Sequence, residues 1–170
     1  SSGHFDCEAK PCWKQCSVFG DPHFTTFDGK SYKFQGSCKY VFARSQSNAT
    51  DLSINIENVP CGSSGVTCTR NLDVLWRGDT ISIDRETYLD TLKLPEDCSS
   101  WTSGAMHFLQ CADAFVVKWD DQTTVSLLMN PRLSGSVEGL CGNMNGNQND
   151  DFKTPGNGLI ETSASIFGDS

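Results

Sequence analysis

The stretch Gly139–Phe152, GLCGNMNGNQNDDF, concentrates short oxygen-bearing side chains. Asn143, Asn145, Asn147 and Asn149 stand at alternate positions, and Asp150 and Asp151 follow directly. Side-chain amides, carboxylates and main-chain carbonyls are what calcium takes, a hard cation with six to eight oxygens at about 2.3–2.6 Å. Gly142 and Gly146 let the backbone curl so that alternate side chains and a carbonyl face inward. The stretch is not an EF-hand, because its glycine comes too early and no glutamate closes the loop as the twelfth residue. A solvated polar turn is the other reading of the same residues.

A second chemistry is written in Gly20–His23, GDPH. The Asp21 carboxylate is able to attack its own carbonyl, the Pro22 nitrogen leaves once protonated, and the nearby His23 imidazole can move the proton. Against this, an Asp-Pro pair ordinarily does no more than shape the entry to a strand. Arg77-Gly78-Asp79 spells an integrin-recognition tripeptide on a predicted hairpin tip, and equally an ordinary turn. No Ser/His/Asp set, paired catalytic carboxylates or phosphate-cradling glycine loop emerges, so the chain reads as non-enzymatic.

Nine cysteines run along the whole chain without the paired spacings of a zinc site, and there are only three histidines. Disulfides in an oxidising compartment are the better reading. Asn48-Ala49-Thr50 is an N-glycosylation sequon and agrees with secretion. The net charge of −8, with lysines and arginines dispersed, argues against nucleic acid as a partner. No apolar run approaches the ~18 residues of a membrane span. The N-terminus lacks the basic start and apolar centre of a signal peptide, so the chain is expected to be a piece of a longer protein.

These groups must be positioned by strands. Short β-rich runs separated by turn residues cover Ser31–Ala43, Asp51–Val59, Leu72–Trp76, Thr80–Asp84, Glu86–Leu94, Ala105–Gln110, Ala114–Trp119 and Thr123–Met129. The pattern predicts an all-β antiparallel sandwich. Gly78-Asp79 and Asp120-Asp121-Gln122 are expected to turn two hairpins, and a short helix is expected near Ser163–Ile166. Residues 1–15 carry Cys7 and Cys12 in a polar stretch without strand pattern. They read as a leader, or as the tail of a preceding module, with a small local Cys7–Cys12 loop as one option.

Taken in order, CSVFGDPHFTTFDGKSYKFQGSCKYVFA (Cys16–Ala43), VVKWDD (Val116–Asp121) and GLCGNMNGNQNDDF resemble the von Willebrand factor type D domain, over residues 16–170. The resemblance implies an extracellular, disulfide-stapled β-sandwich with a bound calcium ion. Carried over residue by residue, the implied ligands are Asp28 of TFDG, Asn143, Asn145, the main-chain carbonyl of Asn147, Asp150 and Asp151. Asn145 stands where many relatives have aspartate, which removes one formal charge and implies weaker binding. The resemblance pairs Cys16 with Cys141; Cys61 with Cys68 and Cys98 with Cys111 suit local bridges. A further bridge of many relatives lacks both cysteines here, near Ser47 and Glu138. Cys38 is then the odd one, expected to be free in this piece and paired with a following module in the full-length protein. Some family members cleave themselves within GDPH, between the residues equivalent to Asp21 and Pro22.

The function expected is that of a calcium-binding extracellular module supporting adhesion, matrix or mucus-like assembly in a larger glycoprotein. Its expected partners are neighbouring modules, other secreted proteins or further copies of itself. A growth-factor-binding regulatory module and a self-cleaving module are the alternatives.

Overall fold

Alternation of inward apolar and outward polar residues organises the chain into strands, seen in a computed structural model that describes residues 11–46, 50–62, 65–84, 93–120, 122–155 and 158–170. The strands are β1 (Lys14–Phe19), β2 (His23–Thr25), β3 (Ser31–Lys33), β4 (Lys39–Ser45), β5 (Leu52–Pro60) and β6 (Thr67–Trp76). They continue as β7 (Asp79–Ile83), β8 (Cys98–Ser103), β9 (Met106–Cys111), β10 (Phe115–Trp119), β11 (Val125–Met129) and β12 (Val137–Glu138), before one short helix, α1 (Ala164–Gly168). A seven-stranded sheet runs β3-β2-β1-β11-β10-β9-β8 and a five-stranded sheet β12-β4-β5-β6-β7, with every pairing between described strands antiparallel. No helix among the described residues is long and apolar enough to cross a membrane.

The core lies between the sheets. Leu52, Ile54 and Ile56 of β5 and Leu72, Val74 and Trp76 of β6 face Phe115, Val117, Leu127 and Met129 of β10 and β11, all buried. The Trp76 and Phe115 rings meet edge to face at 5.4 Å. Strand β6 stays in phase only because its register shifts opposite Glu57 and Asn58, which lets Arg70 stand out of the pairing while Thr69 and Leu72 both point inward. Without that bulge, the period of two would expose one half of the strand's core residues.

Several expectations shift. The run Ser31–Ala43 is two strands, interrupted at residues 34–38. A Cβ on Gly36 would run into the Tyr40 hydroxyl and the tip of the Phe34 ring, so any larger residue there requires those rings to shift. Strand β8 was hidden in the sequence, since CSSWTS has no apolar alternation; it forms because it pairs along β9. Arg77 and Gly78, not Gly78 and Asp79, occupy the first hairpin turn, with φ of +51° and +89°, while Trp76 pairs with Asp79. The sheet takes in Lys14 and Gln15, which pair with Met129 and Leu128. The expected strand Glu86–Leu94 falls largely on residues 85–92, outside the described residues, as do Asp121, the glycosylation candidate Asn48, Ser47 and Cys7.

Candidate metal centre

The Asn- and Asp-rich loop is fastened before it is shaped. Cys141 is bonded to Cys16 of β1 across 125 residues of sequence, and Phe27 N–H donates to the Cys141 carbonyl at 3.0 Å. Tyr32, half-buried, donates from Oη to the Leu140 carbonyl at 2.5 Å; desolvation of the hydroxyl pushes its pKa well up, with the charge of Asp151 adding to the effect. The loop entrance is therefore held against the β2–β3 turn, which carries Asp28.

Within the loop, the alternating asparagines make successive turns. Asn143 Oδ1 accepts from Asn145 N–H at 3.2 Å, Asn145 Oδ1 from Asn147 N–H at 2.7 Å, and Asn147 Oδ1 from Asn149 N–H at 3.2 Å. Each amide oxygen has a second lone pair left. Asp28 reaches across to take Gly146 N–H on Oδ1 at 2.9 Å and Asn145 N–H on Oδ2 at 3.0 Å. Asn145 Nδ2 donates to Asp150 Oδ2 at 2.9 Å, and Thr26 Oγ1 donates to Asp151 Oδ2 at 2.5 Å. All six residues suggested by the sequence thus lie in one connected set.

Two oxygens in this set lack a partner within hydrogen-bonding geometry. Asp150 Oδ1 and Asp151 Oδ1 are buried without a hydrogen-bond partner, although a buried carboxylate oxygen left unpaired costs about 1–3 kcal/mol or more. Asp151 is 1% exposed. Its burial drives the carboxyl up to about 6; the Thr26 hydroxyl opposes this and the neighbouring Asp28 carboxylate reinforces it. Backbone geometry is adapted to the same end. At Gly142, with φ of +76°, a Cβ would run into the Asp151 carboxylate, and Met144, buried, holds a φ of +55° that side chains avoid. Among the described residues no three His, Cys, Asp or Glu side chains are grouped as a metal site by themselves. Any cation here needs the asparagine and main-chain oxygens as well, which are among the donors calcium takes.

Thr26 and Lys30 were not read from the sequence as part of this site. Thr26 sits on Asp151, and Lys30 Nζ donates to the Gln148 carbonyl at 3.3 Å while lying 4.4 Å from the Phe152 ring centroid. FTTFDGK gives no spacing signal for either, because their partners are more than a hundred residues away.

At the GDPH corner, His23 Nε2 lies 2.8 Å from Asp21 Oδ1, with the imidazole stacked on Phe19. Gln35, also unforeseen, donates from Nε2 to the Asp21 main-chain carbonyl at 2.8 Å, its Oε1 being held by Thr67 N–H at 3.1 Å. Arg77 of the tripeptide is engaged inside the domain, over the Trp76 ring at 4.7 Å and 2.7 Å from Asp97 Oδ2. Disulfides join Cys61 to Cys68 and Cys98 to Cys111, while Cys12 and Cys38 are exposed and bonded to no described cysteine.

The family model of the von Willebrand factor type D domain matches residues 16–158, most of the chain. The chain belongs to the von Willebrand factor type D family. It is similar to hemocytin of Bombyx mori, 34% identical over 99% of this chain and 6% of the relative. Mucin-2 of Mus musculus is 33% identical over 99% of this chain and 4% of the relative, and SCO-spondin of Gallus gallus 33% over 98% and 3%. This type D domain therefore spans a small fraction of the length of the curated relatives it matches. It is a structural module and not an enzyme.

Proposed function

We propose that this type D domain binds one calcium ion and works as a fastened extracellular module for adhesion, matrix or mucus-like assembly in a larger secreted glycoprotein. The observation that carries the reading is the pair of buried, partnerless oxygens, Asp150 Oδ1 and Asp151 Oδ1, in a loop already pinned to Asp28. Asn143, Asn145 and the Asn147 carbonyl supply neutral oxygens, and Asp28, Asp150 and Asp151 supply the charge. The ion contributes electrostatic neutralisation of those carboxylates and binds only the folded arrangement, which stabilises it by mass action. Three disulfides fit an oxidising compartment, and two relatives compared above carry the names mucin and hemocytin. Calorimetry of the metal-free chain with calcium, paired with melting in chelator, tests the reading. Heat of binding at one site and a higher Tm with calcium are expected; no uptake and an unchanged Tm overturn it.

A second reading, self-processing between Asp21 and Pro22, is favoured by the Gln35 amide on the Asp21 carbonyl and by His23 beside the carboxylate. Attack of the Asp21 carboxylate on its own carbonyl carbon forms a cyclic anhydride and breaks the bond to Pro22. The Pro22 nitrogen takes a proton from the His23 imidazolium, and water then opens the anhydride. This is one turnover of maturation, not enzyme activity. Intact-mass measurement across pH 5–8 yields two fragments if it operates and a single uncut mass if it does not.

A further inference from the structure

We propose that Asn145 is a positioning residue that keeps the calcium loop closed without the ion, so that this domain forms its site first and meets calcium second. The inference rests on the calcium reading above. Asn145 stands at the centre of the loop's contacts. Its N–H donates to Asp28, its Oδ1 accepts from Asn147 N–H and its Nδ2 donates to Asp150 Oδ2. The Oδ1 contact fixes which end of the amide faces Asp150, because only an acceptor can take the Asn147 N–H.

Asp28 faces Asp151 and takes the Asn145 N–H, Asp150 takes the Asn145 amide, and Asp151 is buried with one oxygen unpartnered. Like charges brought together without a cation repel, and a closed loop would tend to open. The Asn145 amide is the one group of the described loop seen to donate to the Asp150 carboxylate. It places two partial positive hydrogens where an aspartate would place a negative oxygen. It also leaves Asp150 Oδ1 free, and the second lone pair on its own Oδ1, so holding the loop does not consume the oxygens the ion needs. Pre-forming the loop removes ordering cost from binding.

The test is Asn145→Asp in the same chain, melted in chelator and in calcium, with calcium titrated by calorimetry. In chelator the variant should melt about 3 °C or more below the parent, from loss of one charge-assisted hydrogen bond and gain of a repulsion. With calcium the deficit should close, and the variant's calcium-induced rise in Tm should exceed the parent's. A purely structural lesion leaves the same deficit in both conditions and overturns the proposal, as does a variant melting at or above the parent in chelator. A variant deficit in chelator with no calcium uptake by either chain removes the calcium reading and, with it, the order of events proposed here. Calcium uptake by both chains with no deficit in chelator removes only the role of Asn145. Should Asn145→Asp fail to fold, the uncharged Asn145→Ala reads the same contacts through hydrogen exchange in chelator. Faster exchange at the Asn147 amide, restored to parental protection by calcium, supports the proposal, and unchanged exchange overturns it.

Discussion

Two loops at different corners of the sandwich are each organised by aspartate, and the two carboxyls move in opposite directions. Asp120, at the β10–β11 hairpin, takes the N–H groups of Gln122, Thr123 and Thr124 on one oxygen at 2.9–3.1 Å. Burial pushes that carboxyl up, but these hydrogen bonds from Thr124, Gln122 and Thr123 outweigh it and its pKa falls below the ordinary value. Asp151 is more deeply placed, receives the Thr26 hydroxyl, faces Asp28, and is raised to about 6. A carboxylate satisfied by its own backbone is finished structure, whereas one buried beside a second carboxylate with an unpartnered oxygen is where the proposed cation would bind.

The contrast can be broken most severely at its anchor. Replacing both Cys16 and Cys141 by serine should remove about 5 kcal/mol in the chain-entropy model, lowering Tm by roughly 10 °C or more and weakening the calcium response, since the loop entrance loses its tie to β1. The comparison is read by differential scanning calorimetry with and without calcium. Next, Asp151→Asn should abolish the calcium-induced rise in Tm, worth about 2.7 kcal/mol when calcium is present at a hundredfold its dissociation constant, while leaving the chain folded in chelator. Asp120→Ala should cost about 1–3 kcal/mol in urea unfolding and leave the calcium-induced rise intact. If Asp120→Ala removes the calcium response, the distinction between the two loops is wrong.

The smallest effect is in pH, and its sign separates the two aspartates. Asp151 has a folded pKa of about 6 against an ordinary value of 3.8, so the native state holds the extra proton between them. In chelator, stability contributed by this group therefore rises as pH is lowered from 7 toward 4 and falls on the way back. Asp120, depressed when folded, contributes stability present above its unfolded pKa and lost as pH falls through its folded one. Melting the parent against Asp151→Asn at pH 7 and pH 5 in chelator should show the parent gaining relative to the variant at pH 5, and calcium should suppress that gain.

Strands with clean alternation were legible because period two leaves a mark on composition: Leu52, Ile54 and Ile56 point one way along β5 whatever lies opposite. Strand β8 left no mark, since Ser99, Ser100 and Thr102 are strand residues only by virtue of β9 beside them. The loop's chemistry was legible in its residue types, and its link to Asp28 came through the resemblance of TFDG to a known family. Thr26, Lys30 and Gln35 were not legible, being joined to partners on other elements.

By itself the sequence determined an antiparallel β protein with an oxygen-rich loop, because side-chain type and local spacing are properties of neighbours along the chain. Only the tertiary structure decided that Asp150 and Asp151 each keep an oxygen without a partner and that Asn145 turns its nitrogen to Asp150. The first depends on burial beside Thr26 and Asp28, more than a hundred residues away in sequence; the second is a local, exposed contact whose direction follows from how the loop is folded.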